Sequence, residues 1–422
     1  MLPSNGRSVS VNWLLKASIL GAAVLSSSSL AASGCGIPSG SVRILSNEIH
    51  ALRVVADAAG ECASSSVTVT SNQTSQHASI QIPALTANPA EYTVAMVSNN
   101  SMTSLLNDGL IRPLDALVAR YGQQLKRNQL IKIDGKVMAI AFMVDAQHLV
   151  YREDVLAKSG IPVPKTYEEV LEAAKVIRKK GVLKYPLAAT YLPDWDLGEE
   201  FVNMYRGYGG EFFEPGSAIA AIDNEKGIKA LQMMKALSAY MQPEFLTFST
   251  EVVVPIWEAG EVAMANLWDT RAQSFLPEHS SVPKIAAVTR FAAAPTVGGG
   301  TIPATTMWWN GFTLARNISE KDAEASFRAM MHAIAPNVAR AHPTEAVWLI
   351  DGYQPTAAAA GVLASMSGGA KPYPMLPYMG YLHTAIGSNI GGFMQGKQSA
   401  QQALSAAVAA YTTAAREAGY LR

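Results

Sequence analysis

Apolar residues recur along this chain in two rhythms, every second position in short runs and every third or fourth in longer ones, and the two alternate. Ser41-Val42-Arg43-Ile44-Leu45 predicts a strand, positions 48–59 a helix, and the β-branched alternation Val67-Thr68-Val69-Thr70 a second strand. A third strand is expected over 92–97, then a helix over 101–107 closed by Gly109 and another over 114–121. Positions 137–144 are continuously apolar and end in Asp145, with Leu149-Val150-Tyr151 following almost at once. Strands alternating with helices imply an α/β chain on largely parallel sheets, because a strand reached through a helix returns in the same direction.

A second series of elements starts at Thr166. This residue predicts an N-cap, with Glu168 and Glu169 in the first turn, Val170, Ala173, Ala174 and Ile177 on one face, and Gly181 as the stop. Leu187-Ala188-Ala189-Thr190 reads as a short buried strand, Pro193-Asp194-Trp195-Asp196 as a loop, and 199–208 as a helix broken by Gly209-Gly210. Helices over 224–240 and 252–259 and strands over 262–265 and 285–288 come next. The Gly-, Thr- and Pro-rich stretch 295–306 leads to a strand over 309–314 and an alanine-rich helix over 320–334. Residues 350–355 form an irregular crossing, and a helix near Tyr381 and one over 400–418 close the chain.

A chain of 422 residues exceeds what one hydrophobic core covers, so two domains are expected. Apolar residues at 49% and charged residues at 16% exclude a disordered protein. Thirty-three basic residues balance thirty-three acidic ones, which leaves no electrostatic footprint for nucleic acid or an anionic membrane. The one short basic run, Arg178-Lys179-Lys180, complements the dipole of its helix end.

Residues 1–34 read as a signal peptide: Arg7 and Lys16, an apolar stretch over 17–25 too short to span a bilayer, then Leu30-Ala31-Ala32. Export makes Cys35 and Cys62 candidates for a disulfide. Lipidation of Cys35 is the alternative, since Ala32-Ser33-Gly34-Cys35 resembles a lipobox, although that motif has Leu where Ala32 stands; two free thiols are the third. With no Cys-x-x-Cys and no Cys/His cluster, neither a metal nor a cofactor is expected.

Four segments together resemble family 1 extracellular solute-binding proteins, the maltose-binding-protein-like components of bacterial ABC importers for carbohydrates. They are Gly109-Leu110-Ile111-Arg112-Pro113-Leu114-Asp115; Tyr151-Arg152-Glu153-Asp154-Val155-Leu156 with Lys165-Thr166-Tyr167-Glu168-Glu169; Glu258-Ala259-Gly260-Glu261-Val262-Ala263-Met264; and Gly396-Lys397-Gln398-Ser399 with Ala403-Leu404. The first lobe is the less typical one, with Tyr92-Thr93-Val94 where the family has a carboxylate and a short, proline-containing stretch over 75–88. The resemblance implies a periplasmic-binding-protein type II fold. One lobe would comprise 36–142 plus 303–352 and the other 147–300 plus 357–422, hinged near 143–146, 300–303 and 352–357. It also implies a periplasmic, monomeric protein that closes on a small molecule and delivers it to an inner-membrane permease whose ATPase is a separate chain.

In open α/β sheets ligands sit beyond the carboxyl ends of the strands. That rule selects Asn47, Glu48, Asn99, Asn100, Asp145, Asp194, Trp195, Asp196, Trp268, Asp269, Arg271, Trp308, Trp309 and Asn310. Amides and carboxylates suit hydroxyls, and indoles suit the C–H faces of sugars. Four of the seven tryptophans fall at these strand ends, so the ligand expected is a sugar or polyol. Trp308 and Trp309, adjacent on a strand, must face opposite sides. Asp145 could instead brace the hinge, and the asparagines could cap helices. Tyr378, Tyr381 and His383 fall where maltose-binding protein has an aromatic platform. A polyamine or phosphorylated polyol is the competing ligand, because cations also favour Trp with Asp and Arg271 could meet an anion. Catalysis finds little support. Gly391 to Lys397 matches Gly-x4-Gly-Lys, but Gln398 stands in place of Ser/Thr and no strand precedes it; only the loop acids Asp194 and Asp196 could act as a carboxylate pair.

Overall fold

The computed structural model describes residues 35–422; the signal-peptide expectation lies outside the described residues. The strands are β1 Gly40–Ser46, β2 Val67–Gln73, β3 Val94–Ser98, β4 Leu130–Ile133, β5 Lys136–Asp145, β6 Gln147–Arg152, β7 Leu187–Ala188, β8 Met264–Trp268, β9 Thr289–Ala292, β10 Thr306–Leu314, β11 Val347–Trp348 and β12 Lys371–Pro372. Among the described residues they form two sheets. An eight-stranded sheet runs β11-β5-β10-β3-β1-β2, with β4 on β5 and β12 on β10, and a four-stranded sheet runs β7-β8-β6-β9.

Both sheets are mixed, and the connections explain why. β1 pairs in parallel with β2 and β3, which it reaches through helices, and β7 pairs in parallel with β8. β10 enters the large sheet from the other sheet and lies antiparallel between β3 and β5. Only Ala146 separates β5 from β6, so the chain passes from the large sheet to the small one in a single residue. It returns through residues 293–305.

The continuous apolar run of β5 is buried along nearly its whole length, as a strand covered on both faces requires. Val42, Ile44 and Leu45 of β1 are also buried, while β2 keeps only Val67 inside and forms the sheet's edge. Thr166 caps helix Tyr167–Lys179 through a reciprocal capping box with Glu169. Asn224 and Ser319 cap helices Glu225–Ser238 and Glu320–Ala333. Cys35 and Cys62 are joined as a disulfide, with Cα atoms 5.2 Å apart, tying the start of the described chain to the end of helix His50–Gly60. A bonded Cys35 sulfur has no thiol left for a lipid.

Two expectations fail locally. Residues 285–288 do not form a strand: Pro283 opens a single helical turn, Pro283–Ala286, because its fixed φ suits the first helical position, and β9 starts only at Thr289. Trp195 and Asp196 are not loop residues. Helix Trp195–Gly207 starts at Trp195, after Asp194 turns the backbone at φ 97°. That turn is pressed against Gly387, where a Cβ would lie 1.7 Å from the Asp194 carbonyl oxygen, so the second helix must carry glycine there.

Candidate functional site

The carboxyl ends of strands from both sheets converge on a cavity of about 670 Å3. Asn47 and Glu48 follow β1, Asn100 follows β3, Asp145 ends β5, and Trp308 and Asn310 lie on β10. From the small sheet come Trp268, which ends β8, Arg271 just beyond it, and Trp195. These nine expected residues share one cavity.

Its floor is aromatic. Trp195 and Trp268 stack with ring centroids 6.0 Å apart, and Trp308 meets them edge-on at 5.7 and 6.1 Å. Trp308 resolves the adjacent pair: it faces the cavity, whereas Trp309 packs into the core beneath the large sheet with Ala139 and Ala141.

Under the floor lies a buried polar network that the sequence did not point to. Trp308 Nε1 donates to Glu199 Oε1 at 3.0 Å, and the Thr306 hydroxyl donates to the same oxygen at 2.8 Å. Glu200 accepts from the Thr190 amide and hydroxyl and from Asn266, and Asn203 links Gln147 to Thr306. Glu199 and Glu200 are almost wholly enclosed, and burial pushes their carboxyls up to about 8 and about 7. His383 is 1% exposed. Burial holds its imidazole down at about 4, so it is neutral at pH 7. It bonds the Trp195 carbonyl at 2.8 Å and the Tyr373 hydroxyl at 3.0 Å, and its ring stacks on Trp195 at 4.9 Å. It therefore supports the floor rather than facing the cavity. The missed signal was Glu199-Glu200 inside Leu197 to Val202: two adjacent acids in a helix that is apolar on both sides of them.

Five expected residues stand outside the cavity lining. Asn99 is fully buried, bridging the Met307 carbonyl and the Trp309 amide at 3.0 Å each; it fixes β10 to the end of β3. Asp194 serves the backbone turn at Gly387. Asp196 points into the junction with helix Thr250–Glu258, where burial and the Glu251 charge raise its carboxyl to about 6. Asp269 is fully buried, accepting from Gln273 at 2.8 Å with His148 3.6 Å away. Trp309 is core.

Asp145 both lines the cavity and braces the crossing. It accepts from the amides of Ala146 (2.9 Å) and Asp269 (3.1 Å) and from the Thr270 hydroxyl (2.8 Å). Burial, with the nearby Asp269 charge, raises its carboxyl well above the usual range. On the rim Arg271 pairs with Glu251 at 3.0 Å and His50 with Glu345.

The family model of bacterial extracellular solute-binding proteins matches residues 66–327, more than half of the chain. The chain belongs to that family. A probable ABC transporter-binding protein of Deinococcus radiodurans is 29% identical over 199 residues; the match spans 45% of this chain and 45% of that relative, so less than half of the relative's length is covered. A maltose-bound MalE3 structure from T. maritima superposes with a TM-score of 0.72 at 17% identity, covering 89% of this chain and 100% of that one. A ribitol complex of an ABC transporter solute-binding protein from Agrobacterium radiobacter K84 gives 0.73 at 18% identity, covering 89% and 99%. The fold of this solute-binding protein is thus the periplasmic-binding-protein type II fold, and its family is an exported one.

Proposed function

We propose that this protein is the substrate-binding component of an ABC importer and holds a sugar or polyol in the tryptophan-floored cavity. The observation carrying this reading is the mutual contact of Trp195, Trp268 and Trp308 on the cavity floor, with Asn47, Asn100 and Asn310 around them. Indole faces accept C–H surfaces and amides match hydroxyls in both directions. A cavity of about 670 Å3 falls in the size range of small-molecule sites. Structural relatives that bind maltose and ribitol support the same chemistry. A polyamine fits less well: Glu251 is paired with Arg271, Glu345 with His50, and Asp145 with backbone amides, which leaves Glu48 as the rim's unpaired carboxylate.

The two lobes comprise 36–142 plus 303–352 and 147–300 plus 357–422, and they close about the crossings near 143–146, 300–303 and 352–357. Ligand touching both lobes favours the closed form by its extra contacts there. The closed monomer then docks on an inner-membrane permease served by a separate ATPase. The protein is exported to the periplasm by the signal peptide 1–34, performs no chemistry on its cargo, and needs neither metal nor cofactor.

The decisive measurement is a thermal-shift screen of the purified protein against monosaccharides, oligosaccharides, polyols and polyamines, because a ligand that binds only the folded state raises Tm by mass action. A shift with a sugar or polyol is expected. A shift with putrescine alone would overturn the reading.

A further inference from the structure

Cys35, Cys62 and His332 stand far apart in the sequence and meet in the fold. Cys35 opens the described chain, Cys62 follows helix His50–Gly60, and His332 lies in the last turn of helix Glu320–Ala333. The two helices pack on each other. Among the described residues these three are the one group of His, Cys and acidic side chains whose ligand atoms all come within 4.8 Å of one another. Cys62 is buried and the other two are half-buried. Helix His50–Gly60 lines the tryptophan cavity only with its first turn. At about 1.5 Å per residue the cysteine end lies roughly 15 Å further along, so nothing here depends on which ligand that cavity takes.

The imidazole is already oriented. His332 Nε2 lies 2.9 Å from Glu61 Oε2; a carboxylate only accepts, so Nε2 carries the ring hydrogen and Nδ1 keeps its lone pair. A carboxylate behind the ring is what fixes metal-binding histidines and raises their basicity. One turn back on the same helix, Arg328 donates to the Gly36 carbonyl and pairs with Glu324. It pins the residue after Cys35 to the helix that carries His332, and its charge favours a thiolate at Cys35. The approach needs glycine at 36, where φ is 61° and a Cβ would lie 3.2 Å from Arg328 Nη2. Tetrahedral ligation with metal–sulfur bonds of about 2.3 Å sets two sulfurs about 3.8 Å apart. With the Cα atoms 5.2 Å apart, side-chain rotation opens the reduced pair that far.

We propose that the reduced protein binds one zinc-class cation between the Cys35 and Cys62 thiolates and the His332 imidazole, with water in the fourth position. A newly made chain carries both cysteines as thiols, because disulfides persist only in oxidising compartments. Binding sends the two thiol protons to solvent. Oxidation by a small-molecule disulfide then takes two electrons from the thiolates, joins the sulfurs and releases the ion, while the oxidant takes up two protons and leaves as two thiols. Ion and disulfide are thus alternative ties from the start of the described chain to helix His50–Gly60, and the ion adds helix Glu320–Ala333. Cargo binding needs no ion on this reading.

The test titrates the purified protein, oxidised and after reduction with a phosphine, with Zn2+ against a chromophoric chelator and with Co2+ for its spectrum. The reduced protein should bind one Zn2+ roughly a hundredfold more tightly than the oxidised one, and only its Co2+ form should show a thiolate-to-metal charge-transfer band. His332→Ala should weaken binding by the reduced protein about tenfold or more, and Glu61→Ala by a smaller factor. Both variants are also compared oxidised, where the disulfide holds the fold and zinc affinity should not change. Equal affinity in the reduced and oxidised wild type means an adventitious ion only and overturns the site, as does a reduced His332→Ala that binds like the wild type. Should His332→Ala fail to fold, X-ray absorption of the zinc-loaded wild type decides: two sulfurs and an imidazole support the site, and any other set overturns it. If reduction alone unfolds the chain, Zn2+ must restore its circular dichroism, and failure to do so overturns the proposal.

Discussion

The aromatic floor and the polar wall of the cavity are built on opposite principles. Trp195 and Trp308 are held from below: one by His383 through its carbonyl and ring face, the other by Glu199 through Nε1. Asn47, Glu48 and Asn310 on the wall are exposed or half-buried, and no buried network fixes them. A rigid floor binds a flat face without losing side-chain freedom, whereas a looser wall can turn its amides to suit different hydroxyl patterns. On the proposed reading, the floor would set how tightly ligand is held and the wall would set which ligand.

The largest effect expected concerns the network beneath the floor. Glu199 ionises near 4.5 when unfolded and only near 8 when folded, because burial disfavours the charge. A carboxyl raised in this way contributes its full stability below about 4.5 and loses it as pH rises through 8. At about 1.4 kcal/mol per unit of displacement, the loss is on the order of 5 kcal/mol. Glu199→Gln keeps an acceptor for Trp308 and Thr306 but cannot ionise. Denaturant unfolding between pH 5 and 9 should show the variant losing less stability than the wild type, with Glu200 accounting for part of what remains. Equal slopes would mean that the network under the floor tolerates charge, and the contrast with the wall would lose its basis.

Next come the indoles themselves. Trp195→Ala and Trp268→Ala should each weaken sugar or polyol binding about tenfold, or about 1.4 kcal/mol. Because the two rings stack on each other, the double variant should fall short of the product of the single losses. Calorimetry reads both, and wild-type affinity in both single variants would remove the floor from the site. Smaller again in its effect on affinity is Trp308→Phe, which keeps a ring but takes one donor from a buried carboxyl. It should cost about 1–3 kcal/mol of stability and change affinity less than the alanine variants do.

What the sequence made legible follows from which forces are local. Helix Tyr167–Lys179 was readable from Thr166 and Glu169, which cap each other within one turn. Strand ends could be found from periodicity, and nine of the residues placed there meet in one cavity. The five that do not were placed by contacts distant in sequence: Asn99 by β10, Asp194 by Gly387, Asp269 by Gln273 and His148, Asp196 by Glu251, and Trp309 by the alternation that put Trp308 in the cavity instead. Glu199 was hidden for the same reason. An acid in the first two turns of a helix reads as a solvated residue favoured by the helix dipole, and only the packing of Trp308 and Thr306 over it shows otherwise.

The smallest effect expected lies on the wall and separates two asparagines that looked alike. Asn47 Oδ1 already accepts from the Glu48 amide at 2.8 Å, closing a local turn after β1. Asn310 sits where the pairing of β10 with β5 shifts register, half-buried in the cavity. The shift needs Gly311, because a Cβ there would lie 2.2 Å from the Ile140 carbonyl oxygen. Asn310 thus has amide groups free to meet a ligand, whereas Asn47 has committed its acceptor to the backbone. Asn310→Ala should weaken binding by about 0.5–1.5 kcal/mol, a net hydrogen bond, and alter the ranking among sugars that differ at one hydroxyl. Asn47→Ala should lower affinity for all of them by a similar factor, since it acts by loosening the turn. Calorimetry on a pair of epimeric sugars distinguishes the two: if Asn310→Ala left the epimer ratio unchanged, the wall would not be the part of the cavity that selects.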